Sequence, residues 1–560
     1  MKTWIKKFQV LVIVSTLGFT SACAQLPRSS QIGSGPNLEA GLETDYLYYS
    51  PAGPPEDATQ EEILLGFINA GTGPQNNYEI ARTYLTESLK TEWNPGEEVL
   101  IQDGTPVITL LDDNSASVLV RVSARINERG EYQALPVGTT RLVEVRFDNS
   151  TGAWRISDAP NLTMVIRPVF DVIFEAYSIY FFDKQKKHLV PDVRWFPLRA
   201  STSTRLVSAL LDGPSDWLDN AVESAIPNGT RLTLNSVTVT DGIANVDLSA
   251  RALSATAAAK QLIQSQIRET LLQLDNVFSV RVTIERAGID QVPSTMTGTQ
   301  SSLIRPVALT NGSLVDFDGV NEVELGNSRS LLEKIGAVNF ATNAAKKTMV
   351  LTSPDGIYLS RLDRVTELPI RLVAGTGFLP PVVDVNGFIW VVPSDSARMI
   401  MVFNPQGQRV NFAGNWLTGV SRLSFSISSE GSRIVAVTGD RFASQVRVAA
   451  LTRTSGGAPE SLGTPISPIR TSTAFMATWV DSTQIGVLES PNSLFVQPWI
   501  TVIGGDSRSL QTLSSGLEII SSGQATSVYV LDDFGTLFQY RGTNWTRLRE
   551  NIDAFHYPGN

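Results

Sequence analysis

The 560-residue sequence predicts three folded domains in series: an α+β domain, an α/β domain and an all-β propeller. In the first region helical periodicity gives way to strand alternation, and in the second helices and strands alternate. In the third, short apolar alternations beside turns recur without helices. Such a chain is too long for one hydrophobic core. The predicted domains are 58–167, 168–287 and 306–560, with a linker at 288–305.

Residues 1–22 have the composition of an export signal. Lys2, Lys6 and Lys7 precede the mostly apolar run 8–19, which is shorter than the roughly 20 residues that span a bilayer. Ser21 and Ala22 then precede Cys23, the one cysteine of the chain. This pattern resembles a lipobox, in which the cysteine is lipidated and becomes the mature N-terminus; ordinary secretion with Cys23 discarded or buried is the alternative. Residues 23–57, punctuated by Pro, Gly and Ser, are predicted to form a tether.

The first domain begins with two predicted helices. The first carries apolar residues at helical spacing after Thr59, and the second is predicted over residues 78–93. Strand candidates follow at 99–101, 106–111, 115–126 and 140–147, before a turn into Trp154-Arg155-Ile156. This order of elements resembles the nuclear-transport-factor-like fold. The resemblance implies either a ligand pocket between helices and sheet or a pocket filled by side chains.

The second domain is organised around residues 203–239. A helix is predicted to end at Asp212-Gly213-Pro214, and the turn Ile226-Pro227-Asn228-Gly229-Thr230 precedes an extended run over 232–239. An amphipathic helix over 259–274 and a strand over 280–284 complete the unit. The succession LLDGPSDWL, SAIPNGT and DGIANVDLS resembles the GerMN domain, a small α/β module of cell-envelope and sporulation proteins.

In the third domain a strand pair with a turn returns repeatedly. Gly356, Gly387, Gly431, Ser482 and Gly535 mark these turns, at intervals of 31, 44, 51 and 53 residues. A period of about 40 to 50 residues is typical of propeller blades and predicts five or six of them.

Composition argues against catalysis and nucleic-acid binding. The formal charge is −10 and no basic cluster is present, so phosphate neutralisation is not expected. His188 and His556, the two histidines, lie in different predicted domains, and no nucleophile elbow or phosphate loop accompanies them. We expect no catalytic residue, metal site or cofactor. Carboxylates of the second domain are the remaining catalytic candidates, each with an ordinary structural interpretation: Asp183, Asp192, Asp212, Asp241 and Asp247.

Three aromatic residues lie outside the apolar stripes of the second domain. Trp195 and Phe196 precede Pro197, and Trp217 follows Pro214 closely. Exposed aromatic residues favour protein–protein contacts, so a partner could be anchored here; core packing is the alternative.

In domain order the whole chain resembles the actinobacterial LpqB lipoprotein family. The resemblance implies lipidation of Cys23 (N-palmitoyl and S-diacylglycerol) and anchoring at the outer face of the plasma membrane. It also implies a non-enzymatic role, binding the extracellular part of the MtrB sensor histidine kinase and so influencing phosphorylation of the MtrA response regulator, cell-wall metabolism and division. Binding of cell-wall glycan or peptidoglycan, or less favourably its cleavage, is the alternative function.

Overall fold

The computed structural model describes residues 51–557 except 200, 290–304, 318–321, 326–327, 344–346, 365–366, 493 and 525. The predicted signal peptide, Cys23, the tether up to residue 50 and most of the predicted linker lie outside the described residues. No helix in the described part of the chain is both long and apolar enough to cross a membrane. The three domains belong to the same compact unit of the chain.

The first domain packs short helices on one face of a mixed sheet. The helix α1 (Gln60–Ala70) starts at a capping box, in which Thr59 and Glu62 satisfy each other's backbone N–H groups. The remaining elements are α2 (Glu79–Arg82), α3 (Glu87–Glu92), β1 (Glu98–Gln102), β2 (Val107–Asp112), β3 (Ser115–Asn127), β4 (Tyr132–Ala134), β5 (Thr140–Asp148), β6 (Arg155–Asp158) and β7 (Leu162–Ile166). The strand order is β6-β5-β3-β1-β7, and β2 and β4 both pair with β3.

The helix predicted over residues 78–93 is two short helices instead. Tyr84 accepts a backbone hydrogen bond from Ile156, and Thr86 donates one to Ile156, so the chain between α2 and α3 extends the edge of the sheet. Sequence periodicity missed this break because Ile80, Ala81, Tyr84, Leu85 and Leu89 all face inward in either conformation.

The strand β3 separates a buried face from a solvent-facing one. Ala116, Val118 and Val120 are fully buried beneath the helices, whereas Leu119 and Arg121, on the opposite face, are exposed. An antiparallel sheet with one covered face commonly alternates in this way. The outer face therefore remains available for contact with another molecule.

The second domain is built from two small sheets and three α-helices. Its elements are α4 (Arg167–Ile173), β8 (Phe174–Asp183), β9 (Leu189–Pro197), α5 (Thr202–Asp212), β10 (Val222–Glu223), β11 (Thr238–Thr240), β12 (Ile243–Leu248), α6 (Ala257–Leu271), β13 (Ser279–Ile284) and β14 (Ala287–Gly288). The sheets have the orders β10-β8-β9 and β11-β12-β13-β14, and β12 runs parallel to β13. The apolar stripe predicted for α6 is confirmed, since Ile263, Ile267 and Leu271 are fully buried.

The extended run predicted over residues 232–239 is largely irregular. Leu232 forms an isolated bridge with Leu248, and regular pairing resumes only at β11. Asn235 between them has φ +51°, a left-handed conformation that ends strand geometry. The change of apolar phase at Asn235-Ser236 was the sequence signal of this turn.

The third domain is a β-propeller with six four-stranded sheets in the described residues. The first blade comprises β15 (Val307–Thr310), β16 (Ser313–Phe317) and β17 (Glu322–Glu324), and after α7 (Arg329–Ile335) the second comprises β18 (Asn339–Asn343), β19 (Thr348–Ser353), β20 (Gly356–Arg361) and β21 (Ile370–Ala374). The third comprises β22 (Val382–Val383), β23 (Ile389–Val391), β24 (Met401–Phe403) and β25 (Arg409–Val410), and the fourth β26 (Arg422–Ile427), β27 (Arg433–Asp440), β28 (Ala443–Arg453) and β29 (Pro459–Leu462). The fifth comprises β30 (Ala474–Trp479), β31 (Gln484–Glu489), β32 (Gln497–Val502) and β33 (Ser507–Ser509), and the sixth β34 (Glu518–Ser521), β35 (Val528–Leu531), β36 (Leu537–Arg541) and β37 (Asn544–Arg549).

The last strand of the chain closes the ring of blades. The strand β38 (Ile552–His556) pairs antiparallel with β15 and completes the first blade, with Val307 opposite His556. His556 is therefore part of a propeller strand. Because the first and last strands of the propeller share one sheet, the blade ring cannot open without breaking this pairing.

Candidate functional site

The three domains meet around a cavity of about 600 Å³, here called the junction cavity. Polar and charged residues from all three domains line it: Arg125, Asn127, Glu131, Tyr132 and Gln133 from the first, Asp192 and Ser215 from the second, and Arg433, Ser467 and Arg470 from the third. Trp217 and several prolines provide its apolar wall. The volume falls within the range of about 300 to 1,000 Å³ that is usual for small-molecule sites.

The turn between β3 and β4 attaches the first domain to the second. The Arg129 guanidinium donates to the carbonyl oxygens of Gly213 and Pro214 and pairs with Asp216 at 3.1 Å. At Gly130, the backbone N–H of Trp195 donates to the carbonyl oxygen at 2.7 Å. Gly130 has φ +79°, and a Cβ there would lie 2.9 Å from the carbonyl oxygen of Trp195. Glycine is required here by both backbone conformation and space.

A buried ion pair lies directly behind this contact. Asp192 and Arg194 are 2 % and 0 % exposed, and their charged groups are 2.7 Å apart. Asp192 also accepts hydrogen bonds from the backbone N–H and the hydroxyl of Ser215, at 2.7 and 2.8 Å. Arg194 donates to the carbonyl oxygen of Arg129. The pair therefore holds the Gly213–Ser215 turn and the first domain's β3–β4 turn in one arrangement.

Asp506 of the propeller connects the first domain with the blades. Its carboxylate accepts from the Tyr132 hydroxyl at 2.5 Å and pairs with Arg167 at 2.5 Å, while Arg167 also donates to the Tyr132 hydroxyl. Burial first, and then the hydrogen bond to Asp506, raises the pKa of Tyr132, so the phenol stays protonated as a donor. Although burial opposes it, the hydrogen bond with Tyr132 and the charge of the Asp506 carboxylate raise the pKa of Arg167.

The aromatic residues predicted as partner anchors pack inside the chain. Phe196 is 3 % exposed in the core of the second domain, beneath the Arg205 guanidinium, so it cannot anchor a partner in this structure. Trp195 stacks between Tyr132 and Phe170 and donates its indole N–H to the carbonyl oxygen of Gly504. Partner anchoring is thus wrong for Phe196, because strand alternation turns its side chain inward.

Trp217 joins the second domain to the propeller. It packs against the core of its own domain and against the cluster between the fourth and fifth blades, which includes Val446 and Val448. Part of its surface lines the junction cavity. Trp195 and Trp217 therefore contact neighbouring domains of the same chain, a role the sequence could not separate from core packing or partner binding.

The carboxylates of the second domain that were considered as catalytic candidates either have structural partners or lie in exposed or turn positions. Asp183 pairs with His188 at 3.1 Å, and although burial opposes it, hydrogen bonding with His188 keeps the pKa of Asp183 low. Asp247 accepts from the Thr283 hydroxyl and the backbone of Arg286. Asp212 is exposed at the C-terminal end of α5. Asp241 has φ +51° in the turn between β11 and β12.

Two carboxylates, Asp192 and Glu131, are among the described residues that line the junction cavity, and both lie next to the Arg194 guanidinium. Asp192 is committed to Arg194 and Ser215, and Glu131 also lies 3.7 Å from Arg194. Within the residues that the structure describes, no group of three or more His, Cys, Asp or Glu side chains could hold a metal ion.

An apolar row crosses the solvent-facing side of the first domain. Val107, Leu119 and Leu142 are directly paired across β2, β3 and β5, and they are 59 %, 44 % and 56 % exposed. We call these three residues the outer-face row. Sequence analysis did not single them out, because β3 carries apolar residues on both faces and periodicity does not show which face is covered.

Comparisons with known proteins account for each domain. Residues 53–171 match the family model of the lipoprotein LpqB N-terminal domain, and residues 312–556 match that of the lipoprotein LpqB beta-propeller domain. Between them, residues 178–289 match the family described as sporulation and spore germination. The chain belongs to the LpqB lipoprotein family. The multidomain fold class, with a GerMN-like domain and a C-terminal propeller, is confirmed.

Relatives named lipoprotein LpqB extend over almost the whole chain. That of Bifidobacterium longum is 23 % identical over 573 aligned residues, which cover 96 % of both chains, and that of Cutibacterium acnes is 22 % identical, covering 95 % of this chain and 96 % of its own. The match to the Thermobifida fusca protein is 27 % identical and spans half the length of that relative.

Solved structures resemble individual domains. The first GerMN domain of the sporulation protein GerM from Bacillus subtilis is 22 % identical, with a TM-score of 0.19, and the match covers 22 % of this chain and 94 % of that one. TolB from Acinetobacter baumannii is 14 % identical, with a TM-score of 0.33, over 45 % of this chain and 66 % of its own.

Proposed function

We propose that this member of the LpqB family is a non-enzymatic lipoprotein that binds the extracellular part of an MtrB-like sensor histidine kinase. Lipidation of Cys23 would anchor it at the outer face of the plasma membrane, and two lipid signals are sufficient for stable anchoring. The family resemblance supports the choice of partner. The relatives named lipoproteins support the anchored state.

The outer-face row is the observation that supports a protein partner. Contiguous exposed apolar surface is a recurrent feature of protein-binding sites. Here the row lies beside exposed Arg121 on β3 and, along the same face of β5, beside exposed Glu144 and Arg146. A partner surface with apolar side chains flanked by charged groups of both signs would complement both features.

If the three domains are held in one rigid arrangement, binding of this protein can shift the conformational equilibrium of the sensor. Binding shifts the sensor toward the conformation that it contacts more favourably, and only by the difference in affinity between conformations. The Asp192–Arg194 pair and the Asp506 contacts hold the three domains together, so the outer-face row is presented at a fixed position.

The test is titration of the soluble form, residues 24–560, against the isolated extracellular domain of the cognate sensor. The triple variant V107S/L119S/L142S is expected to weaken binding at least tenfold, because the apolar contact area is lost. Leu494→Ser is the matched control, since Leu494 is an exposed leucine of the propeller at 79 % exposure.

Equal affinity of the triple variant and the wild type would remove the outer-face row as the docking surface. Absence of any saturable binding by the folded wild-type protein would refute the proposed function. Retention of that protein on purified peptidoglycan would then favour the wall-glycan alternative.

A further inference from the structure

The propeller contains a second cavity, of about 330 Å³, here called the channel cavity. Its lining comes from the innermost strand of each of the six blades: Phe340 on β18, Val382 on β22, Phe425 on β26, Phe475 on β30, Glu518 on β34 and His556 on β38. It therefore lies on the central axis of the ring, where no single blade forms the site alone.

The channel cavity is lined by the propeller alone, since none of the described residues in its lining belongs to the first or second domain. Arg441, in the turn between β27 and β28, borders it beside the beginning of β26. The second domain contacts the other ends of the innermost strands, where Arg433 at the start of β27 donates to the carbonyl oxygens of Pro191 and Ser482.

Among the described residues, Glu518 is the one acidic side chain that lines the channel cavity. Its side chain is partly buried, and no Lys, Arg or His of the described residues forms an ion pair with it. Burial raises the pKa of Glu518 to about 7, against the opposing effect of a hydrogen bond with Asn339. A carboxylate without a cation in an apolar site is costly, and a bound cation would remove that cost.

The other titratable groups of the cavity are His556, Tyr557 and Arg441. Burial lowers the pKa of His556 to about 4, so its ring stays neutral, and its Nε2 is buried without a hydrogen-bond partner. Burial also raises the pKa of Tyr557. The Arg441 guanidinium lies over the Phe475 ring, 5.3 Å from its centroid.

The strands that flank β34 add no competing charge to the channel. Leu531 of β35 lies opposite Glu518, and β30 contributes Met476 and Thr478 to the lining. Asp532, which follows β35, accepts hydrogen bonds from the backbone N–H groups of Phe534 and Thr536.

We propose that the channel cavity binds a small organic ammonium ion, with Glu518 as its counter-ion and the phenylalanine side chains around its apolar body. An ammonium head would donate hydrogen bonds to the Glu518 carboxylate. The aromatic rings of Phe340, Phe425 and Phe475 would attract the cation and cover the attached hydrocarbon. The cavity volume is at the lower end of the range for small-molecule sites, which favours a compact amine. This site is independent of the proposed sensor contact.

The test is calorimetric titration of the soluble form, residues 24–560, with 2-phenylethylamine between pH 5.5 and 8.5. Affinity is expected to rise about tenfold per pH unit below pH 7 and to level off above it, because only ionised Glu518 binds the amine. At pH 6 binding should release close to one proton, measured by repeating the titration in buffers with different ionisation enthalpies.

Glu518→Gln is expected to weaken binding at least tenfold at pH 8 and to abolish proton release. Asp533→Asn removes an exposed carboxylate of the same blade and is expected to leave both unchanged. Nα-acetyl-lysine N-methylamide, titrated in parallel, reports whether a lysine side chain of a protein is preferred over a free amine.

Three results would overturn the proposal. They are equal binding of neutral 2-phenylethanol, wild-type affinity in Glu518→Gln, and no binding of the amine at millimolar concentration at pH 8. The pH dependence of the wild-type protein provides a measurement that needs no variant.

Discussion

The buried pair of Asp192 and Arg194 provides a quantitative test of how the three domains are held together. In Asp192→Asn the charge is lost, while the amide oxygen can still accept from Arg194 and the Ser215 backbone N–H and the amide N–H₂ group can donate to the Ser215 hydroxyl. Breaking a buried ion pair by removing one partner typically costs about 3 to 5 kcal/mol, since the remaining charge is left uncompensated. We expect a loss of this size in the free energy of unfolding.

Asp216→Asn is the matched control for this variant. Asp216, which follows Ser215 in the chain, makes the same class of ion pair with Arg129, but its side chain is 98 % exposed. Exposed pairs contribute at most about 1 kcal/mol. Urea unfolding of both variants, followed by tryptophan fluorescence, measures the difference. If Asp192→Asn lost no more stability than Asp216→Asn, the reasoning that this pair is the buried centre of the domain contact would be refuted.

Three further variants test other contacts. In urea unfolding, Gly130→Ala should lower the free energy of unfolding by about 2 kcal/mol more than Gly138→Ala. Both glycines have positive φ, but only at Gly130 would a new Cβ contact backbone atoms. Equal losses in the two variants would contradict this close approach. Trp217→Ala should lower the free energy of unfolding by about 3 kcal/mol and speed proteolysis between the second domain and the propeller. Unchanged proteolysis would argue against its bridging role. Glu518→Gln should gain stability relative to the wild type as pH rises from about 4.5 to about 7, by at most about 3 kcal/mol. The reason is that the raised pKa of Glu518 makes the wild type lose stability across this pH window. A pH-independent difference in thermal unfolding would contradict the pKa shift.

The turn residues show how far the repeat pattern of the propeller could be read from sequence. Gly387, Gly431 and Ser482 lie in the first hairpin of their blades, whereas Gly356 and Gly535 lie in the second hairpin of theirs. The irregular intervals therefore came from mixing two hairpins, although each marked turn does belong to a different blade. The first blade carried no mark, because its innermost strand comes from the other end of the domain.

The contacts that residues of the second domain make with the other two domains could not be deduced from the sequence in the same way. Asp192 and Arg194 are two residues apart on one strand, where alternation places both on the same face, yet Ser215 and the carbonyl oxygen of Arg129 come from other elements. Trp195 gives no indication in sequence that its indole would reach Gly504, more than 300 positions later. Periodicity reports which face of an element is apolar and not which domain covers it.

Local patterns thus determined what depends on neighbouring residues: the amphipathic helix α6, the helix end at Gly213, the recurring hairpins and the order of domain types. The tertiary structure decided what depends on distant residues meeting, namely the junction cavity, the closure of the ring by β38 and the isolation of Glu518 among six innermost strands. The physical reason is that hydrogen bonding and side-chain alternation within an element are set by adjacent residues. Burial, pairing of charges and the pKa of a carboxyl group depend on every chain segment that excludes water from it.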